Sequence, residues 1–341
     1  MTSPHVHILL GTFNGSRHVQ EQLDSIRNQT FTAWTLLVRD DGSQDHTLEI
    51  VRRVAAVDPR IEIVLDDGEH VGCVMNFARL AMEALERDAA YVMFSDQDDI
   101  WFSDKIEKTL RVMLRAERKG GQRKPVLIHT DMDVIDSDGV RVHASFMSFQ
   151  KIHHSPRRPL RTLVVQNFVT GCTAMVNRSL LDRSLPIPPQ AIMHDWWLAL
   201  CAAYTGSVEF VNDATMSYRR HGENAVTVRG FWPTMNPYRT DWQRLWSEGI
   251  SNHARAVLQA RALMIRMGSA GSEDNESESL VRQFVELHDK RWPGPRRMMR
   301  ACQLGVSSQA LPRLAILYLR LLSWSYLMDA ADLTAANHVA Q

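Results

Sequence analysis

Residues 91–101, YVMFSDQDDIW, decide how this chain of 341 residues folds. The stretch from Tyr91 to Phe94 is apolar on both of its faces, and it is followed at once by an acidic cluster at Asp96, Asp98 and Asp99. A strand that is apolar on both faces is typical of a parallel sheet covered by helices. The stretch therefore predicts an α/β fold in which carboxylates stand at the carboxyl end of a buried strand.

Earlier segments repeat this pattern of a buried strand that ends in polar residues. His5–Phe13 ends at Asn14 and Gly15, Trp34–Arg39 runs into Asp40–Ser43, and Ile61–Leu65 is a shorter strand. Helical periodicity separates the strands over His18–Asn28, up to Val54, and over Cys73–Glu86. Such alternation predicts an open, mostly parallel sheet with helices on its faces. Because ligands bind beyond the carboxyl ends of such strands, we expect the three polar clusters to meet at one edge.

The pattern changes after residue 125. Short strands are predicted at 126–129, 132–135 and 140–144, with a hairpin turn at Asp136–Gly139, and Ala214–Arg219 is the last strand. A helix is predicted over Met193–Tyr204. We interpret residues 1–229 as one catalytic domain and residues 230–341 as a mainly helical extension with an acidic linker near 268–279.

Composition narrows the class of protein. The 39 basic and 39 acidic residues cancel, so we expect no nucleic-acid partner. The four cysteines are far apart and the N-terminus lacks a signal-peptide pattern, which indicates a cytoplasmic protein. Leu311–Met328 is apolar but interrupted by arginine. It fits either a packing helix or an interfacial helix, so peripheral contact with the cytoplasmic face of a membrane and self-association both stay open.

The acidic cluster is the main candidate for chemistry. Crowded carboxylates repel one another, and Mg²⁺ or Mn²⁺ would relieve that repulsion while binding a diphosphate. The alternative is a solvated loop that caps the helix beginning near Ser103. Asp41 has two readings as well, a contact to a base or ribose and an ordinary Asp-Gly-Ser turn.

Asp195 stands among large rings in the sequence His194-Asp195-Trp196-Trp197. An apolar setting raises the pKa of a carboxylate, which suits a general base, and adjacent tryptophans can stack on sugars. The alternative is that the tryptophans are core residues. His221 follows the last strand and fits a metal ligand, a phosphate contact or a structural histidine.

Six stretches, in order, resemble glycosyltransferase family 2, and within it bacterial rhamnosyltransferase-like and O-antigen-type enzymes. They are GTFNGSRHVQEQLDSIRNQTF, VRDDGSQDHT, FSDQDDIWFSDKI, NFVTGCTAMVNRSL, MHDWWLAL and YRRHGENAV, and they span residues 11–226. The resemblance implies a GT-A fold, a Rossmann-like mixed sheet flanked by helices. One departure is Phe13, where tyrosine is commoner in the family, and the ring face is kept.

The resemblance also implies roles for individual residues. Asp195 matches the catalytic base, Asp98 and His221 match metal positions, and Trp196 and Trp197 are expected at the acceptor. Donor or nucleotide contacts are expected at Thr12, Phe13, Asn14, Asp41, Asp96, Gly171 and Cys172.

The function expected from this set is inverting, metal-dependent transfer of a sugar from a nucleoside-diphosphate donor, TDP-rhamnose or a UDP-sugar. The acceptor would be a hydroxyl of a glycan or lipid-linked glycan in bacterial surface polysaccharide synthesis. Two alternatives remain: a non-catalytic nucleotide-sugar-binding or scaffold protein on the same fold, and a metal-dependent phosphohydrolase or nucleotidyltransferase.

Overall fold

The computed structural model describes residues 4–64, 68–121, 123–220, 242–268, 275–289, 292–309 and 311–323. Within them the chain forms one sheet of nine strands in the order β3-β2-β1-β4-β8-β6-β9-β5, with β7 paired to β6. The strands are β1 Val6–Thr12, β2 Trp34–Asp40, β3 Ile61–Ile63, β4 Tyr91–Ser95, β5 Ile100–Trp101, β6 Val126–Ile135, β7 Arg141–His143, β8 Met175–Asn177 and β9 Ser207–Arg219.

Helices cover both faces of this sheet. In the first 220 residues they are α1 Val19–Arg27, α2 Thr47–Ala55, α3 Cys73–Glu86, α4 Lys105–Gly120, α5 Phe146–Gln150, α6 Pro159–Leu163, α7 Arg178–Ser184 and α8 His194–Thr205, with a 3-10 turn at Gly171–Thr173. Four more follow, α9 Trp242–Gly268, α10 Asn275–Asp289, α11 Gly294–Leu304 and α12 Leu311–Ser323. The predicted α/β class with a helical C-terminal part is confirmed.

The first four strands are parallel, and β8 enters antiparallel between β4 and β6. Thr12 lies opposite Asp40 in the β1–β2 pairing, and Leu10 lies opposite Ser95 in the β1–β4 pairing. The residues that follow β1, β2 and β4 therefore share one edge of the sheet. This confirms the predicted meeting of the three polar clusters.

Alternation along the strands divides the core between the two faces of the sheet. On β1, Ile8 and Leu10 pack in the cluster formed with α1, α2 and α4. Leu9 points the other way, into a cluster that also contains residues of α3 and α8. Because successive side chains of a strand point to opposite faces, a strand buried on both sides needs the continuous apolar run that the sequence has.

Two predicted boundaries differ from the structure. Residues 126–135 form the single strand β6, whereas two strands were predicted there, and the pairing of β6 with β9 shifts register around Asp131. Asp131 accepts hydrogen bonds from the backbone N–H of Met132 and Met147, so the irregular strand keeps its polar groups bonded. The last strand, β9, begins at Ser207 and not at Ala214.

The C-terminal helices share a core with the sheet. Val257 and Leu263 of α9, Phe284 of α10 and Leu321 of α12 belong to the same buried cluster as Leu9 of β1. This packing accounts for much of the apolar character that the sequence shows after residue 311. The predicted boundary at 229/230 falls among residues that the structure does not describe.

The remaining C-terminal predictions have mixed outcomes. Residues 275–279, expected in the acidic linker, form the beginning of α10 instead. Acidic residues favour the first turn of a helix, and Glu276 and Glu278 stand there. None of the described helices combines the length and apolar composition that crossing a bilayer requires.

We expect Leu263→Ala to lower the free energy of unfolding of the whole chain by about 2 to 5 kcal/mol, because it empties space in the shared core. Ile265, two residues further along α9, is 78% exposed and provides the matched control. Ile265→Ala should change the free energy by no more than about 0.5 kcal/mol. Urea unfolding followed by tryptophan fluorescence measures both, and equal effects would contradict a core shared with α9.

Candidate active site

The ends of β1 and β2 are tied together by side chains. The Thr12 hydroxyl donates to Asp40 Oδ1 at 2.8 Å, and the Ser43 hydroxyl donates to the same oxygen at 2.6 Å. The Asn14 backbone N–H donates to Ser43 Oγ at 2.8 Å, and Asn14 Oδ1 accepts from the Gln44 N–H at 2.8 Å. Thr12 is buried, and Asn14 is exposed at this edge. Their predicted contacts to the donor stay predictions.

Gln97, within the acidic cluster, joins that cluster to the end of β1. Its side-chain amide accepts from the Phe13 N–H and donates to the Phe13 carbonyl oxygen, both at 2.8 Å. This pair of bonds continues the β1–β4 pairing beyond the last strand residue. The Phe13 ring is left 42% exposed and contacts the His70 ring with centroids 4.5 Å apart. Phe13 therefore presents an open aromatic face at the edge where a nucleobase was predicted.

Asp41 is buried and fully engaged by the chain. Its Oδ1 accepts from Arg39 Nη1 at 2.8 Å and from the Val71 N–H at 2.9 Å, and its Oδ2 accepts from the Gly72 N–H at 2.8 Å. His70 Nδ1 lies 2.9 Å from the same Oδ2. Asp41 thus fixes the loop before α3. Its predicted contact to a nucleoside stays a prediction.

The acidic cluster Asp96–Asp99, called the acidic loop below, carries more negative charge than its surroundings neutralise. Desolvation, together with the charges of Asp98 and Asp195, raises the pKa of Asp96. Desolvation and the neighbouring carboxylates also raise the pKa of Asp99, which is 1% exposed. Asp99 Oδ2 is buried and has no hydrogen-bond partner in the described part of the chain.

This loop therefore fits a divalent cation. Oxygens of Asp96 and Asp99 and the sulfur of Cys172 lie within 4.8 Å of one another. Desolvation and the two carboxylates raise the pKa of the Cys172 thiol well above its usual range, so it is protonated, and oxygen ligands remain for a hard cation. Asp98, the predicted ligand, is one residue from this group, and His221 lies outside the described residues.

Arg219, at the end of β9, hydrogen-bonds the acidic loop through its backbone and its side chain. Its backbone N–H donates to Asp99 Oδ1 at 3.3 Å, and its Nε donates to the Asp98 carbonyl oxygen at 3.1 Å. The guanidinium also reaches Glu21 on α1 and is only 3% exposed. A buried guanidinium that bonds the backbone of the loop keeps the loop's carboxylates in place.

Asp195 lies in the first turn of α8, opposite the acidic loop. Its Oδ2 accepts from the Gly171 N–H at 2.8 Å and its Oδ1 accepts from Asn167 Nδ2 at 3.0 Å. Desolvation raises the pKa of Asp195 to about 6, although these hydrogen bonds favour the ionised form. A carboxylate with that pKa is ionised at neutral pH and still basic enough to take a proton.

The thiol of Cys73, the first residue of α3, lies close enough to carboxylates of two polar clusters and of α8 to be affected by their charges. Desolvation and the charges of Asp96, Asp195, Asp41 and Asp98 together raise the pKa of its thiol to about 12. Such an effect requires every one of these carboxylates to lie within electrostatic reach of one sulfur atom. Asp195 also accepts from the N–H of Gly171, and the sulfur of the next residue, Cys172, lies within 4.8 Å of oxygens of Asp96 and Asp99, so this segment joins the proposed base to the acidic loop.

The structure corrects the prediction made for one of the two tryptophans. Trp197 is fully buried, and its indole N–H donates to the Ser184 carbonyl oxygen at 2.8 Å, so its predicted role at the acceptor is wrong. Trp196 is partly buried and donates to the Leu163 carbonyl oxygen at 2.6 Å. Adjacent positions of a helix point in different directions, which is why the two rings cannot both face one ligand.

A glycine is required at position 171 because His194 and Asp195 pack closely against it. A Cβ atom there would lie 2.7 Å from His194 Nε2 and 3.4 Å from Asp195 Cβ. The His194 ring is buried between Phe77 and Phe94, and desolvation lowers its pKa to about 3, so it is a neutral packing group. The expected contacts of Gly171 and Cys172 to the sugar donor stay predictions. The Cys172 sulfur lies within 4.8 Å of oxygens of Asp96 and Asp99.

Three residues of the site were missed by the sequence analysis: Arg39, Asn167 and Arg219. Arg39 and Arg219 left a signal, because each is a charged residue inside a strand that is otherwise buried, where a charge needs a partner. Asn167 left none. Its contact with Asp195 joins residues 28 positions apart, and no spacing rule gives it.

Comparisons with known proteins agree with this geometry. Residues 8–185 match the model of the family described as "Glycosyl transferase family 2". The putative teichuronic acid biosynthesis glycosyltransferase TuaG of Bacillus subtilis (strain 168) is 27% identical over 51% of this chain, and the match covers 63% of TuaG. The dTDP-rhamnosyl transferase RfbG of Shigella flexneri is 23% identical over 71% of this chain and 83% of RfbG.

A solved structure shares the fold. The mannosyltransferase PcManGT from Pyrobaculum calidifontis, in complex with GDP-Man and Mn²⁺, superposes with a TM-score of 0.52 at 17% identity. The match covers 99% of this chain and 87% of that one, which confirms the predicted GT-A fold. The family match spans just over half of the 341 residues and contains the ends of β1, β2 and β4. The chain belongs to glycosyl transferase family 2.

Proposed function

We propose that this chain transfers a sugar from a nucleoside-diphosphate donor to a hydroxyl of a glycan or lipid-linked acceptor, with inversion at the anomeric carbon. One observation carries the proposal: Asp195, a carboxylate of raised pKa, accepts from the N–H of Gly171, and the next residue, Cys172, has its sulfur within 4.8 Å of oxygens of Asp96 and Asp99. A scaffold protein has no use for a desolvated base at that position. TDP-rhamnose and UDP-sugars are the proposed donors, and the likeness to RfbG supports the first.

In the proposed reaction, Asp195 takes the proton of the acceptor hydroxyl while that oxygen attacks the anomeric carbon. The new carbon–oxygen bond forms as the bond to the diphosphate breaks, and the nucleoside diphosphate leaves with the electron pair. Asn167 and the Gly171 N–H orient the two carboxylate oxygens so that one lone pair faces the acceptor. A single displacement of this kind inverts the configuration.

We assign the cation to the acidic loop, with Asp98 as ligand and Asp96 and Asp99 beside it. Mn²⁺ or Mg²⁺ bound there would stabilise the charge that develops on the departing diphosphate. The unpartnered Asp99 Oδ2 supports this assignment. Phe13 would stack on the nucleobase and Asn14 would lie at the ribose side of the edge. Trp196 and His221 stay candidates for the acceptor and the metal.

The proposed setting is the cytoplasm, in the synthesis of a bacterial surface polysaccharide. The four cysteines are free thiols, which is usual in a reducing compartment. TuaG, by its name a protein of teichuronic acid biosynthesis, supports the pathway class.

We expect calorimetry to detect binding of one of UDP, TDP, GDP or CMP that is strengthened by Mn²⁺, because the diphosphate and the acidic loop would share the ion. Asp98→Ala should abolish the Mn²⁺-dependent gain. Asp213→Ala removes an exposed carboxylate of β9 and should leave binding unchanged. Binding that is equal with and without metal would contradict the assignment of the cation.

Asp195→Asn should lower the transfer rate by about a hundred- to ten-thousandfold, the usual contribution of a general base. Nucleotide affinity should stay within a few-fold of the wild-type value, since the amide keeps the shape of the side chain. Asp182→Asn, on an exposed position of α7, is the control. Chromatography of the products identifies the reaction: nucleoside diphosphate supports transfer, and phosphate or pyrophosphate would point to a phosphohydrolase or nucleotidyltransferase.

The transfer rate should rise with pH through about 6, because Asp195 acts only when ionised and its pKa is about 6. Asn167 donates to the carboxylate and so favours the ionised form. Asn167→Ala removes that donor, raises the pKa of Asp195 and moves the acid limb of the profile to higher pH. Gln283→Ala, which removes an exposed amide of α10, should not move it. A limb that stays in place in Asn167→Ala would argue that another group titrates.

A further inference from the structure

Charge is distributed unevenly in a chain that is neutral overall. Residues 292–323, which contain α11 and α12, hold five arginines and no lysine, histidine, aspartate or glutamate. Two of these arginines are withdrawn from the surface. Arg297 is buried and donates to the Leu287 and Leu321 carbonyl oxygens, and Arg313 is half-buried. Arg296 and Arg300 are exposed.

The exposed side of α11 and its neighbourhood combine cations with apolar groups. The guanidinium carbons of Arg296 and Arg300 lie 4.9 and 5.5 Å from the centre of the Trp292 ring. Met299 stands between the two arginines in sequence and is 52% exposed. Spacings of three and four residues place 296, 299 and 300 on one side of the helix.

The second helix, α12, packs against α11 and has an exposed apolar residue of its own. Leu319 of α12 is 52% exposed. Tyr318 hydrogen-bonds Cys302 of α11, and a Cβ at Gly294 would lie 2.2 Å from the Leu322 carbonyl oxygen, so the two helices pack in close contact. We call Trp292, Arg296, Met299 and Arg300 the arginine face.

The loop between these helices is bonded to the segment that orients the base. Gln166 Oε1 accepts from the Ser308 hydroxyl at 2.5 Å and from the Gln309 N–H at 2.9 Å. The next residue, Asn167, donates to Asp195. Gln309 also forms a pair of bonds with the backbone of His153, and it is 5% exposed. The helices that carry the arginine face are thus hydrogen-bonded, through their connecting loop, to the segment that contacts Asp195.

We propose that the arginine face docks on an anionic phospholipid surface and holds the base-bearing end of α8 towards that surface. Arginine mixed with tryptophan and exposed apolar side chains is typical of interfacial helices. The link to a lipid-linked acceptor rests on the proposed function, whereas docking itself does not. A second copy of the chain is a poorer occupant, because a two-fold contact would place arginines against arginines.

Flotation of the full chain with vesicles tests the proposal. We expect the protein to float with vesicles of phosphatidylcholine and phosphatidylglycerol, to stay behind with phosphatidylcholine alone, and to be released by high salt. The double variant R296E/R300E should lower the partition coefficient at least about 30-fold, since each basic residue near an anionic surface contributes roughly fivefold. R296K/R300K keeps the charges and should float within a few-fold of wild type.

The matched control is R115E/R118E, which reverses two exposed arginines on α4. It should float like the wild type. Equal loss in this control would overturn the proposal, because attraction would then depend on total charge and not on the arginine face. A wild-type protein that does not float, or a change of oligomeric state in R296E/R300E by sedimentation, would overturn it too. Docking with no transfer to a lipid-linked acceptor would count against the proposed function alone.

Discussion

The repulsion among carboxylates brought together at one edge of the sheet is the constraint on which the rest of the site depends. The register of β1, β2 and β4 places Asp40, Asp41 and the acidic loop at the same edge of the sheet. These carboxylates differ in the groups that donate hydrogen bonds to them. Asp40 is held by hydroxyls and a backbone N–H, Asp41 by a buried guanidinium and two backbone N–H groups. In the acidic loop, Arg219 donates to Asp99 and to the Asp98 carbonyl oxygen, yet the pKa values of Asp96 and Asp99 stay raised. This difference supports the proposed cation at the acidic loop.

Asp195, the proposed base, differs from that loop in the donors that hydrogen-bond it. Asp195 and Asp96 both have raised pKa values because both are desolvated. Asp195 receives two strong donors, a backbone N–H and a side-chain amide, whereas Asp96 receives only a thiol. Two carboxylates of one site can thus differ in role because their neighbours differ. The buried His194 contributes by filling space and leaves the charge of the site unchanged.

The fold could be predicted from local patterns because each of the first strands ends in its own polar signature. Cys73–Glu86 was predicted with the bounds that the structure has, since its periodicity is strong and Gly72 precedes it. The site was predictable wherever its residues follow a strand directly. It was not predictable where a contact joins distant segments, as at Asn167, or where burial alone decides, as at Trp197. The short β8 was missed because three residues carry too little pattern to be recognised.

The core that β1 shares with α9, α10 and α12 makes the catalytic half inseparable from the C-terminal helices. The family match ends at residue 185, ahead of the base at Asp195 and of every C-terminal helix. A shortened chain that kept only the family portion would expose the apolar sides of α3 and the sheet to water and would aggregate. Any change of sequence in the C-terminal helices must therefore keep apolar side chains that cover the sheet and α3. The residues of this half can vary, whereas the apolar surface that they present to the sheet has to keep its shape.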